Sequence, residues 1–169
     1  MTTPSTPPAA GKNEDPAAFG VAGIRASHVG ICVRDLDVAL RFWVDGLGFT
    51  SSATFDVGAE FGALMEVDTP TLRSQFIERD GIRLELLFFA EPGTLGTGER
   101  RPVNQVGLTH VCLQVDDVDA VAARLVEHGG SIVEGTRTVV PMGTAESRFV
   151  YLTDPDGTRV ELMALGVRP

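Results

Sequence analysis

Little in this sequence of 169 residues could be stapled covalently or buried in a bilayer. Two cysteines, Cys32 and Cys112, are too few for a disulfide framework. Nowhere do the roughly twenty consecutive apolar residues of a membrane span occur, and the N-terminus lacks the basic flank and apolar run of a secretory signal. Basic residues are scarce as well: 14 Lys and Arg against 23 Asp and Glu give a net charge of −9 with no basic run. Such a balance argues against nucleic acid or an anionic membrane surface as a partner. The expectation is a cytoplasmic protein with two free, buried thiols, long enough for one domain or for two small modules that share a core.

What the chain does contain is a repeat. Ser27-His28-Val29-Gly30-Ile31-Cys32-Val33 is echoed by Thr109-His110-Val111-Cys112-Leu113-Gln114-Val115 at an offset of 82 residues. Asp80-Gly81-Ile82-Arg83-Leu84-Glu85-Leu86 is echoed by Asp156-Gly157-Thr158-Arg159-Val160-Glu161-Leu162 at an offset of 76, so the first copy is six residues longer. A duplicated unit usually buries its apolar face against its copy.

Residues 1–22 are rich in Pro, Thr and Ala without apolar periodicity, which predicts a disordered tail. The first module covers 23–91, a linker punctuated by Pro and Gly covers 92–104, and the second module covers 105–166. Alternation predicts a strand over 24–33 with Val29, Ile31 and Val33 on one face and His28, Gly30 and Cys32 on the other. Asp35 then caps a helix whose stripe is Leu36, Ala39, Leu40, Phe42 and Trp43, closed by Gly46 and Gly48. Strands follow at 49–57, 72–78 and 82–89, the last two joined by Arg79-Asp80-Gly81. The segment 58–70, with Phe61, Leu64 and Met65, holds the extra residues and is a candidate lid or pocket wall.

The second copy repeats the order β-α-β-β-β. It has a strand to Val115, a helix from Asp117 to Gly129-Gly130, a short strand near Ile132, and strands at 147–153 and 158–165. Thr153-Asp154-Pro155-Asp156-Gly157 joins the last two. The fold class expected is α+β: two tandem βαβββ modules forming a curved mixed sheet that encloses a cup, with the helices on the outer face.

Alternation also places Glu85 and Glu161 on the faces turned away from the helices. His28, Glu85, His110 and Glu161 therefore line the uncovered face, and pairing the copies would enclose two imidazoles and two carboxylates. That donor set suits a borderline divalent ion such as Zn, Ni, Co, Fe or Mn and leaves octahedral positions open. The plainer alternative makes each His a hydrogen-bonded core residue and pairs each Glu with Arg83 or Arg159. Four such residues on one face favour the metal.

These features resemble the vicinal oxygen chelate superfamily, the glyoxalase and bleomycin-resistance group, over residues 24–165. The resemblance rests on the His-Val opening strands, Phe42-Trp43-Val44-Asp45-Gly46-Leu47-Gly48-Phe49, the Asp-Pro-Asp-Gly turn and the Glu-Leu closing strands. It implies paired βαβββ modules and a divalent metal on His28, Glu85, His110 and Glu161, a quartet similar to that of glyoxalase I and methylmalonyl-CoA epimerase. It further implies a small substrate with two neighbouring oxygens and proton transfer through an enediolate-like intermediate, with Glu161 or Glu85 as the base. The activity implied is that of an epimerase or isomerase, or a glyoxalase-type lyase.

Two alternatives belong to the same fold. One is a non-catalytic drug-binding or resistance protein, a type that commonly lacks the ligands. The other is an extradiol dioxygenase, which uses two His and one Glu and usually adds a His and a Tyr in the cup. Tyr151 is the only tyrosine here, and His128 suits a helix end. Trp43, Phe42, Phe49, Phe88 and Phe89 read as core, and Arg73, Arg100, Arg101, Arg137 and Arg148 as solvated surface. A site within one chain is preferred to one shared between subunits, and a homodimer is compatible with both.

Overall fold

A computed structural model describes residues 23–168, so the expected tail at 1–22 lies outside the described residues. In the first module β1 (Val29–Cys32) leads into α1 (Leu36–Leu40), which starts where the Asp35 carboxylate accepts the Val38 N–H at 3.0 Å. The helix continues as a wider π-type turn over Arg41–Gly46. β2 (Thr50–Val57), α2 (Gly62–Met65), β3 (Thr71–Arg79) and β4 (Ile82–Glu91) follow. Asp80 and Gly81 both have positive φ, 49° and 81°, which suits the right-handed twist of a tight β3–β4 hairpin. The strand order is β1-β4-β3-β2, with β1 parallel to β4 and Gly30 level with Glu85.

The second module holds β5 (Val111–Gln114), α3 (Val118–Glu127), β6 (Ser131–Ile132), β7 (Thr138–Met142), β8 (Ala145–Thr153) and β9 (Arg159–Val167). Asp117 caps α3 by accepting the Asp119 and Ala120 N–H groups at 2.9 and 3.0 Å. The order is β5-β9-β8-β6, and β7 also pairs with β8. β7 is an addition to the expected order: Pro141 breaks its pattern in the sequence, but a residue without an N–H is tolerated in a strand bonded along one side only. The α+β class and the mixed sheets are as expected. The strands form two sheets, of four and five strands, and each opening strand pairs over four residues rather than its full predicted length.

The apolar faces of both sheets and both longer helices meet in one core. Phe42, Trp43, Ile77, Leu84 and Leu86 of the first module join Ala122, Leu125, Val150, Val160 and Leu162 of the second. Burying a side chain of this size contributes about 1.5–3 kcal/mol each. Trp43 and Phe42 are buried, as their place on the stripe requires, and Phe49 beyond the helix end is buried with them.

Polar contacts fix the modules in register. Trp43 Nε1 donates to Asp154 Oδ2 at 3.2 Å, and Asp154 Oδ1 accepts the Asp156 and Thr158 N–H groups at 2.9 and 2.7 Å. The Arg124 guanidinium donates to the Gly46 carbonyl at 2.9 Å and to the Asp45 carbonyl. A side chain at Gly46 would stand 3.2 Å from both Leu125 and His128, so the close approach of the helices depends on that glycine. No helix among the described residues is long and apolar enough to cross a membrane.

Candidate metal centre

Of the expected first-strand face, Ile31 and Val33 are buried in the core while Val29 is exposed; the opposite face of each sheet carries one His and one Glu. His28 precedes β1, which runs parallel to β4, and its Nε2 lies 3.0 Å from Glu85 Oε2. His110 precedes β5, parallel to β9, and its Nε2 lies 2.9 Å from Glu161 Oε2. The alternative pairing of the glutamates with Arg83 and Arg159 does not form: Arg83 pairs with Glu78, and the histidines take the glutamates.

Behind each imidazole stands a hydroxyl that the motif reading passed over. Ser27 Oγ and Thr109 Oγ1 each lie 2.9 Å from the Nδ1 of the histidine that follows them. The signal was present in the sequence, because a hydroxyl residue directly precedes His in both copies. Its effect is to fix ring orientation and aim Nε2 at the glutamate.

The glutamates are held differently. Ser74 Oγ donates to Glu85 Oε1 at 2.5 Å, and the His28 ring meets Phe76 edge-on with centroids 5.1 Å apart. In the second module Tyr151 lies opposite Glu161 across β8 and β9, and its ring centroid is 5.6 Å from that of His110. Partial burial, then the charge of Glu161, push the Tyr151 phenol above its ordinary range, so it stays a neutral donor. Arg159, two residues before Glu161, stacks its guanidinium 4.9 Å from the Tyr151 ring centre. Burial, then the neighbouring charge of Arg100, hold that guanidinium below its usual range.

The two pairs do not converge. Among the described residues no group of three or more His, Cys, Asp or Glu side chains is placed to hold a metal ion. The four expected residues therefore stand as two separate His–Glu pairs, one per module, among the described residues. Helix-side packing of the modules turns the core faces together and leaves the His faces open. The same openness corrects the expectation of buried thiols: Cys32 is exposed and Cys112 half-buried, both free. Partial burial, with Asp156 beside Cys32 and Glu161 beside Cys112, raises both thiols above their usual range, which disfavours soft-ligand thiolates. His128 stands away from the pairs, capping α3 with Nδ1 donating to the Arg124 carbonyl at 2.8 Å.

A family model described as Glyoxalase/Bleomycin resistance protein/Dioxygenase superfamily matches residues 25–162, which include both His–Glu pairs. The chain belongs to this superfamily. Among its relatives in the superfamily, an ethylmalonyl-CoA/methylmalonyl-CoA epimerase of Cereibacter sphaeroides is 28% identical over 82% of this chain and 96% of its own length. A catechol-2,3-dioxygenase of Bacillus subtilis is 28% identical over 82% of this chain, which spans 41% of that enzyme. The crystal structure of a glyoxalase family protein from Bacillus cereus superposes with a TM-score of 0.71 at 25% identity, covering 92% of this chain and 98% of the other.

The donor set fits a divalent ion on its own geometry. Two ligand atoms bound at about 2.1 Å and at right angles to each other stand about 3.0 Å apart. The two Nε2–Oε2 separations are 3.0 and 2.9 Å. Those are the distances of ordinary His–Glu ion pairs, and they also match the spacing of two neighbouring ligands on one ion, with each Nδ1 already beside a hydroxyl.

Proposed function

We propose that the chain is a metal-dependent enzyme that moves a proton on a small substrate with two neighbouring oxygens, as an epimerase, isomerase or glyoxalase-type lyase. The observation that carries this reading is the duplicated presentation of His Nε2 beside Glu Oε2, each backed by a hydroxyl on Nδ1. Two such half-sites make a complete set when His28 and Glu85 of one copy of the chain face His110 and Glu161 of a second copy. Exposed apolar side chains give that second copy a surface to cover, among them Leu64, Leu95, Val106, Leu108 and Met142.

A bound divalent ion would supply Lewis-acid stabilisation of charge on the two substrate oxygens. The chain's own groups do the rest. Glu161 is the base in this reading, because it lines a recess of about 310 Å³ beside Tyr151, and its partner His110 borders a second cavity of about 800 Å³ between β1, the linker and β9. The neutral Tyr151 phenol stands beside Glu161, and the Thr109 hydroxyl keeps His110 oriented. Tyr151 also gives the dioxygenase alternative one observation in its favour, while His128 does not join it.

The test is metal content by elemental analysis in the wild type, in His28→Ala, in His110→Ala, and in the two variants co-expressed. One ion per chain in the wild type, lost in each variant and recovered to about a quarter on random co-expression, or to half in the isolated heterodimer, is the expected result. A heterodimer of the two variants would keep one intact site, as sharing between copies requires. Metal absent from the wild type even after reconstitution sinks the centre and turns attention to sequestration of aromatic compounds. Deuterium incorporation from solvent into 2-oxoaldehyde hemithioacetals or acyl-CoA epimers then supports proton transfer, whereas oxygen-dependent ring cleavage of catechols supports the dioxygenase.

A further inference from the structure

Arg159 is 5% exposed, and among the described residues no carboxylate lies within ion-pair distance of it, of Arg100 or of Arg101. Its counterpart Arg83 has Glu78 directly across the β3–β4 ladder, whereas Arg159 faces Thr153 across β8 and β9. The protein groups that hold it are the Arg101 carbonyl, accepting from Nη2 at 2.8 Å, and the Tyr151 ring. A buried cation without an anion is costly, and chains rarely keep one without a use for it.

The surroundings sharpen the point. Arg100, Arg101 and Arg159 all line the cavity that His110 borders, and no Asp or Glu lines it. The linker is held in place over the second module's turn: the Gly98 carbonyl would lie 2.3 Å from any side chain at Gly157. Arg101 itself is tied to the Leu108 carbonyl at 2.7 Å. In a chain of net charge −9, three guanidinium groups converge on one recess that lacks acids. β9 puts Arg159 two residues from Glu161, on the same face and about 6.6 Å along the strand.

We infer that this cavity is an anion subsite, in which Arg159 is the buried fork and Arg100 and Arg101 the mouth, for a carboxylate or phosphoryl group carried by the ligand. Two oxygens of such a group match a guanidinium fork in a bidentate way. An anionic substrate anchored here would present its neighbouring atoms to Glu161 and His110. That consequence for substrate class rests on the function proposed above; the binding of the anion does not.

The experiment uses chelator-treated protein, so that no metal can hold the anion. Inorganic phosphate and succinate are titrated separately by calorimetry at fixed ionic strength, against wild type, Arg100→Gln, Arg101→Gln, Arg159→Gln and Arg73→Gln. One probe is expected to bind at one site per chain with a Kd on the order of a millimolar. Phosphate as the better probe marks a phosphorylated or CoA-type ligand, and succinate marks a free acid. Arg159→Gln should weaken binding about tenfold or more and Arg100→Gln several-fold, while Arg73→Gln, an exposed arginine paired with Asp56 outside the cavity, leaves it unchanged. Should Arg159→Gln fail to fold, the two exposed linker arginines carry the test. No binding of either probe overturns the inference, as does binding that all the arginine variants retain. Phosphate or succinate binding in a wild type that takes up no metal on reconstitution would sink the metal centre and keep the anion subsite, which separates the failure of one idea from the failure of the other.

Discussion

Arg83 and Arg159 stand two residues before their glutamates in the two copies of the repeat, each over an aromatic ring that neighbours a histidine, yet their electrostatic settings are opposite. Arg83 lies 4.4 Å from the Phe76 ring centre and pairs with Glu78 at 3.1 Å. Arg159 stacks on Tyr151 and has no acid. The cause is one cross-strand position, Glu78 in the first module and Thr153 in the second. The same asymmetry runs through the ligands' support, where Ser74 donates to Glu85 and Tyr151 neighbours Glu161. Duplication supplied two equal His–Glu pairs. Divergence around them left the first module a neutralised support and the second a charged, cavity-bordering face.

The largest expected break in this comparison is between the two glutamates. Glu161→Gln should lower turnover by about 10²–10⁴-fold, the range of a general acid–base group, because the amide cannot take a proton. Glu85→Gln should cost about tenfold at most on the same scale, since an amide oxygen can still accept from Ser74 Oγ. Steady-state kinetics with metal content measured in parallel separates the two roles. Equal losses of turnover at retained metal would end the division of labour between the modules.

How much of this was legible in the sequence follows from what strand geometry transmits. A period of two sends His28 and Glu85, or His110 and Glu161, to one face whatever the tertiary packing, so the pairs could be found from spacing alone. Helix caps at Asp35 and Asp117 and the turn at Asp80-Gly81 are local chemistry, and they form as expected. Spacing cannot say how the modules meet, because the linker permits more than one arrangement; that the two His–Glu pairs stand apart emerged only from the packing of Trp43, Leu125 and their neighbours. The isolation of Arg159 was hidden for another reason. Arginine precedes both glutamates by two, and only the register of each hairpin decides whether an acid lies opposite.

A smaller effect should fall equally on the two modules, and this sharpens the comparison from the other side. Ser27→Ala and Thr109→Val each remove the hydroxyl that orients one imidazole at 2.9 Å. Each is expected to weaken metal binding by about 10–100-fold, the usual cost of losing an outer partner of a ligating histidine. Competition against a chelator of known affinity measures it. If Thr109→Val costs much more than Ser27→Ala, the second module dominates metal binding as well as proton transfer.

The smallest effect concerns the turns before the closing strands. Asp80 in the first module is exposed and paired with Arg79 at 3.1 Å, whereas Asp154 near the same place in the second is 3% exposed. Burial pushes the Asp154 carboxyl up to about 6, against the hydrogen bonds from Thr158, Asp156 and Trp43; the nearby Asp156 carboxylate adds to the rise and is itself held by Arg34 at 2.6 Å. Because the folded pKa lies above the unfolded value of 3.8, the folded state holds the extra proton between those values. Stability from this group therefore falls as pH rises toward about 6 and is flat above it, with a slope of about 1 kcal/mol per pH unit. Urea midpoints between pH 5 and 7.5 should show this fall in the wild type relative to Asp154→Asn, which has no proton to lose. Asp80→Asn should show the wild-type slope, since its turn lies in water. A flat difference between wild type and Asp154→Asn would mean that the Trp43 and backbone hydrogen bonds offset the burial, and that both turns are electrostatically alike.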